Sequence, residues 1–485
     1  MKKQIKNILL SLVVLTCLPA CDFLSVDKSG KSDIETFFAE STSLQTAMYG
    51  TYNTYFTFYE RQYLPYLTCV SDELVVDVNS GDLYRTHNFQ LTSNDETTFV
   101  GAIWRMGYAA INNSNQIITH TEDLIKNYPN QRAHFLHVHA QALFIRALTH
   151  FQMCSVFGQN YAYTPDASHL GIPIIRHVPS LTEKIARSSV KDVYDAIIED
   201  LLAAIPLFSA DFVDGPYFAS RVAAKALLAR VYLYKNDFAN ALKYAQDVIA
   251  TEGITLTSAT NYYKMYCQAT EKGAESIFRL NGYEQSKEMG TIFNYESPKA
   301  RPSEKLKSAM EEGDARKVFQ CRMPQASGAD TVMVDFTDVV MKYTCTDDVN
   351  IAKEDRYCSP FILRMSEMYL ICAEALNRSE KSAEAEEYLK AIVARAIGKK
   401  KEDVTLTWNN TEELDALIQW ERFKELCFEG HRFLDLTRRH QAIERDASST
   451  ATLKRLDYPD YRMVLPISYV ETDANDAMEQ NPNYE

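Results

Sequence analysis

Through much of the chain apolar residues recur at intervals of three and four, the period of a helix with one buried face. Residues 219–235 place Val222, Ala223, Ala226, Leu227, Val231 and Tyr234 on one stripe. Asn236 and Asp237 supply a turn, and a second stripe carries Phe238, Ala241, Leu242, Ala245, Val248 and Ile249. The arrangement recurs from Tyr369 to Leu376, across a turn near Ser379, and on through Ala383, Ala385, Leu389, Ile392, Val393 and Ala396. A looser pair joins residues 134–157 to 190–206, and a fourth joins 411–429 to 431–445. No single pair can bury its own stripe, so the pairs must stack. The expected fold is mostly α, a scaffold of about four helix pairs.

Small alanines at the helix crossings and the Asp-Phe step at the turn resemble a tetratricopeptide repeat. Elsewhere the period fails. Residues 158–189 carry Gly158, Pro165, Gly171, Pro173 and Pro179 and must be loop. Residues 253–360 are rich in Gly, Pro, Ser and Asp, with short apolar runs at Val332–Val334 and Val339–Met341. They read as a loop-rich insertion with a few short strands, between an N-terminal part (33–252) and C-terminal helix pairs (361–485) of a single domain, 33–485.

The first residues are addressed to export. Lys2, Lys3 and Lys6 precede an apolar run from Ile8 to Leu18, too short to span a bilayer but long enough for a signal-peptide core. It ends Leu18-Pro19-Ala20-Cys21, which resembles a lipobox. Residues 1–20 are thus expected to be a leader, Cys21 the lipid attachment site and 21–32 a tether. No later stretch approaches the roughly 20 apolar residues of a membrane-spanning helix. Loss of the leader's three lysines would take the formal charge from −14 to −17. That acidity argues against nucleic acid or an anionic lipid surface as partner, and fits neutral or cationic ligands. Among the ten cysteines no CxxC pair or metal-like spacing occurs. Cys154, Cys372 and Cys427 sit in apolar helical patterns, and Cys345 and Cys358 are candidates to pair.

Catalytic and metal motifs are weak. Glu421, Arg422, Glu425, Glu429, Arg432 and Asp435 offer several carboxylates, but at helical spacings that favour ion pairs over two carboxyls facing each other across a cleft. His134, His137 and His139 do not share one face, and read as a solvated helix start. Asp211–Gly215 lacks the alternating acids of a calcium loop, and there is no GxSxG elbow or P-loop. No catalytic residue, metal site or cofactor is assigned. Trp104 and Trp420 lie in helical segments and are expected in the core. With 29 tyrosines and only three tryptophans, any aromatic binding platform must be mostly tyrosine. The run Tyr52, Tyr55, Phe56, Tyr59 and Tyr63 has helical spacing and is expected to serve packing.

Several segments in order resemble the SusD/RagB family of outer-membrane nutrient-binding lipoproteins. They are Ser71–Leu74; Trp104 with Tyr108–Asn112 and Asn115; Ala140–Ala147; Phe157-Gly158; Val193–Leu201; and Ala223–Arg230. The later ones are more specific: Arg364–Leu370 with Ala373–Ala375; Glu421-Arg422, Glu425-Leu426, Phe428–Gly430, Arg432 and Asp435-Leu436; Leu465–Ile467; and Gln480–Tyr484. Ser468 stands where a second proline is usual, and Asn483 where glycine is usual. The resemblance implies a SusD-like fold, anchored by lipid in the outer membrane and facing outward. It further implies capture of glycans without catalysis, and delivery to a SusC-like, TonB-dependent transporter. Peptide capture within the same family and, as a separate class, a surface glycosidase are the alternatives; a purely structural or adhesive surface protein is a third. By analogy with the family's binding loops, the candidate ligand residues are Asn79, Asp82, Tyr84 and Arg85 in one polar loop, and Tyr283, Phe293, Tyr295 and Arg301 in the insertion.

Overall fold

The computed structural model describes residues 34–212, 215–266, 275–282, 288–293, 297–317, 320–327, 330–344 and 359–484. Cys21, Tyr283, Tyr295, Cys345 and Cys358 lie outside them. The chain divides into a short N-terminal unit, Met1–Ser43, with the helix Ile34–Phe38, and a body, Leu44–Glu485.

The body is a stack of helices. After α1 (Ser43–Phe58) come α2 (Phe99–Asn127), α3 (Arg132–Phe157), α4 (Val190–Leu207), α5 (Arg221–Tyr234), α6 (Phe238–Ile249), α7 (Met365–Arg378), α8 (Ser382–Ala396) and α9 (Thr411–Glu425). From α2 onward each packs on the next. The starts are written locally: the side chains of Ser189, Ser220, Asp237 and Asn410 each accept a hydrogen bond from a backbone N–H in the first turn of α4, α5, α6 and α9. The predicted stripes face inward, except that Ala383, in the first turn of α8, is exposed. Leu370, Leu376, Leu389, Ile392, Leu414 and Ile418 are all fully buried between α7, α8 and α9. Burial of each such side chain contributes about 1.5–3 kcal/mol. Ala223, Ala226 and Ala245 are also fully buried, and their small size lets α5 and α6 approach closely.

Buried forks link successive layers. Arg146 of α3 donates two 2.7 Å hydrogen bonds to Asp200 of α4, and Arg230 of α5 donates two at 2.6 Å to Glu367 of α7. Both carboxylates therefore compensate cations that would otherwise be stranded out of water.

The last helix pair differs from the pattern read in the sequence. α9 joins α7 and α8, whereas α10 (Arg432–Arg438) packs against the helix Leu64–Val70. The segment between them turns the chain away, with Phe428 and Gly430 at φ of 63° and 78°. Gly430 also lies against Leu64 and Leu67: a Cβ there would stand 3.3 Å from a Cδ1 of each.

Among the described residues the strands form two-stranded antiparallel ladders: β1 (Leu74–Val76) with β3 (Ala300–Pro302), β2 (Ser276–Arg279) with β6 (Phe361–Arg364), β4 (Gln320–Ser327) with β5 (Asp330–Thr337), and β7 (Ile443–Glu444) with β8 (Arg455–Leu456). The run Val332–Val334 lies in β5. Val339 and Val340 do not form a strand; both are buried just ahead of a short helix, Met341–Thr344. Cys69, Cys154, Cys372 and Cys427 are buried free thiols. Trp104 is in the core, but Trp420 is 40% exposed on α9, its ring tilted over Phe423. His137 is not solvated: it is buried, its ring 5.5 Å from Phe208 and 5.1 Å from Phe212. In this state its place is hydrophobic packing.

Candidate functional site

The two candidate loops, far apart in sequence, meet through β1 and β3. Val75 stands opposite Arg301 in the ladder, and the N–H of Asp77 donates to Lys299 O at 2.8 Å. Beyond β1 the chain turns on itself, the Asn79 N–H donating to Asp77 Oδ1 at 2.8 Å, and Gly81 takes φ of 59°. The stretch read as a loop then becomes a short helix, Asp82–His87. Asn79, Asp82 and Arg301 are exposed.

The remaining candidates are engaged by the protein itself. Arg85 donates to Asp95 at 2.8 and 3.1 Å and to Asp82 at 2.9 Å, so its guanidinium braces the loop. Tyr84 is half-buried, its hydroxyl donating to Thr450 O at 3.0 Å. Phe293 is a correction: it is 1% exposed, stacked on Tyr343 and tilted against Phe428, so its ring is core. Tyr283 and Tyr295 lie outside the described residues.

What holds the loops is the Ser71–Leu74 motif. Asp72 is buried and receives Arg432 at 2.7 and 2.9 Å and Lys305 at 2.6 Å. Its backbone carbonyl accepts from Ser303 Oγ, and that of Glu73 from the Ser303 N–H, fixing β3 beside β1. Burial pushes the Asp72 carboxyl up, but Arg432 and Lys305 outweigh it and hold the group at about 2. Glu73 goes the other way: burial and then the neighbouring Asp72 charge push it up to about 8. Its Oε2 accepts from the Phe428 N–H at 3.2 Å.

Segment 446–452 forms a third wall that the sequence reading missed. The Lys305 N–H donates to Asp446 Oδ2 at 2.6 Å, and Asn88 Oδ1 accepts from the N–H and hydroxyl of Thr452, both at 2.8 Å. Its Ser/Thr-rich composition is a turn signal but names no partner.

The carboxylates of the C-terminal motif are consumed in a buried network, and mostly not with arginines of their own helix. Arg364 reaches Glu275, Glu425 and Glu429 at 2.6, 2.7 and 2.7 Å; Arg395 reaches Glu425 at 2.5 Å; Lys342 reaches Glu429 at 2.6 Å. Arg422 pairs with Asp435, Arg316 with Glu421, and Arg438 with Glu374. Burial opposes ionisation of Glu425, yet Arg395, Arg364 and Arg316 hold it well below the usual carboxylate range. A buried carboxylate whose ionised form is held by three arginines is poorly placed for acid–base work. Among the described residues no group of three or more His, Cys, Asp or Glu side chains is arranged to hold a metal ion.

The whole is a stacked helical scaffold that presents loops with exposed polar tips. Residues 22–233 match the model described as "Starch-binding associating with outer membrane", and residues 326–484 match the SusD family model. The chain belongs to the SusD/RagB family. It is 27% identical to SusD-like protein P2 of Formosa agariphila, over 88% of this chain and 89% of that protein. Among solved structures it resembles a putative sugar binding protein from Bacteroides vulgatus, at 26% identity and a TM-score of 0.76, over 92% of this chain and 98% of that one. A SusD superfamily protein from Bacteroides thetaiotaomicron shares the fold at a TM-score of 0.80 and 24% identity, over 91% of this chain and all of that one. No helix among the described residues is long and apolar enough to cross a membrane.

Proposed function

We propose that this protein captures glycans at the outer surface of the outer membrane, held by lipid on Cys21, and delivers them to a SusC-like, TonB-dependent transporter. In this reading residues 1–20 are a leader, 21–32 a tether and 33–485 a single binding domain. The observation that carries it is the β1–β3 ladder, which brings the loops of residues 77–85 and 299–301 to one face with Asn79, Asp82 and Arg301 exposed. Amide, carboxylate and guanidinium groups are the donors and acceptors that sugar hydroxyls require. Membership of a family whose model is described as starch-binding, and likeness to a putative sugar binding protein, support the ligand class. The consumed state of the motif carboxylates supports binding without turnover.

Calorimetric titration of the full-length protein in detergent against plant glycans, host glycans and oligopeptides tests it. Saturable heat with one glycan class and no product release is expected, weakened about tenfold or more in Asn79→Ala/Arg301→Ala. Heat with peptides only would replace the ligand class, and release of shortened glycan would replace binding by catalysis. Cys21→Ser is expected to move the protein from the outer-membrane fraction to the soluble one; unchanged fractionation would remove the lipid anchor.

A further inference from the structure

The run from Tyr49 to Tyr63 is not all packing. Tyr55, Phe56, Tyr59 and Tyr63 are buried, but Tyr52 is only partly so and Tyr49 is 55% exposed. Tyr49, Tyr52, Asn53 and Phe56 recur at three and four along α1 and so share one face. That face borders a cleft of about 310 Å³, closed on its other sides by Tyr217 and Phe218, ahead of α5, and by Leu280 and Asn281, just past β2.

The cleft is built. Tyr52 is fixed at both ends of its hydroxyl, which donates to Gln141 at 2.7 Å and accepts from the Ala219 N–H at 2.8 Å. Phe218 stands edge-on to Tyr52 at 5.5 Å and tilted to Tyr49 at 6.2 Å. The rings are thus set before any ligand arrives, which lowers the entropy lost on binding. In a chain of formal charge −14, none of the described residues bordering this cleft is Asp, Glu, Lys or Arg. Flat apolar rings flanked by asparagine amides suit a ligand with flat CH faces and a rim of neutral hydroxyls.

We infer that this aromatic cleft is a second glycan-binding site, for neutral sugar rings, sharing no bordering residue with the loop face carried by β1 and β3. The inference rests on the glycan-binding reading above. One glycan chain engaging both places would bind more tightly than either place alone, through effective concentration rather than new contacts.

The test is titration of full-length protein in detergent with cellohexaose, maltoheptaose and xylohexaose, and with a proline-rich decapeptide as the rival ligand for an aromatic groove. Tyr49 is largely exposed, so Tyr49→Ala should fold normally, as its circular dichroism will show. It is expected to weaken the oligosaccharide that the wild type binds by about 3- to 10-fold, while Tyr49→Trp, which keeps a ring, stays within about twofold. If Asn79→Ala/Arg301→Ala weakens that sugar while Tyr49→Ala and Phe218→Ala bind it as the wild type does, the second site is overturned and the glycan reading stands. Decapeptide binding that is lost in Tyr49→Ala, with sugar affinity unchanged, would also overturn it. A wild type that binds none of the three sugars overturns the second site, while the glycan reading is decided by the wider panel of plant and host glycans.

Discussion

Glu73 is a carboxyl held neutral near the middle of the physiological range. Its pKa, raised from 4.5 to about 8, means that the folded state favours the protonated form. That contribution to stability is present in full below pH 4.5 and is lost as pH rises through about 8. Glutamine keeps the acceptor for the Phe428 N–H and cannot ionise. Glu73→Gln is therefore expected to match the wild type near pH 4.5 and to exceed it by on the order of 2–4 kcal/mol near pH 8, as read by urea unfolding across that range. Parallel curves would show that Glu73 is already ionised in the fold. The sequence marks Ser71–Leu74 as a motif but does not reveal this role, because the shift comes first from burial, and the segment carrying Phe428 and Arg432 that encloses the site, and whose groups only partly offset the shift, arrives from a distant part of the chain.

The helical elements were legible because their signal is local. The stripes around Val222, Leu242, Leu370 and Leu389 each repeat within a dozen residues, and Ser220 and Asp237 mark starts by side-chain chemistry alone. Ser220→Ala is expected to cost about 1 kcal/mol in thermal or denaturant unfolding, with no change in sugar binding. The elements that carry the candidate site were far less legible. β1 and β3 are three residues each, and their pairing is fixed by Ser303 bonding to the backbone of Asp72 and Glu73, not by an alternating pattern. Phe293 was misplaced for a related reason: composition shows an aromatic in an insertion but not that Tyr343 and Phe428 enclose it. The departure of α10 from the pair pattern turns on Gly430. Gly430→Ala combines a left-handed backbone with crowding against Leu64 and Leu67, and is expected to destabilise by about 1–3 kcal/mol in the same measurement.

Across the whole molecule, apolar stripes set which helices touch, and buried forks set how they register. Arg230→Met leaves Glu367 charged and without its fork, and is expected to cost about 3–5 kcal/mol. Arg230→Met/Glu367→Leu should recover most of that loss in a denaturant series. If the double variant is no better than the single, the pair was not the source. The anchorage of the loops has a different consequence. Asp72 and Glu73 take the strain of attachment on the inner side of β1, gripping Arg432, Lys305 and the backbone of Phe428. The side chains of Asn79 and Arg301 beyond them take no part in that grip, while Asp82 accepts from Arg85 within the loop. Tip and socket are therefore separable: the exposed side chains of Asn79 and Arg301 could be exchanged while Leu83, Tyr84 and Arg85, which hold the loop to the body, and the folding of everything behind them stay as they are.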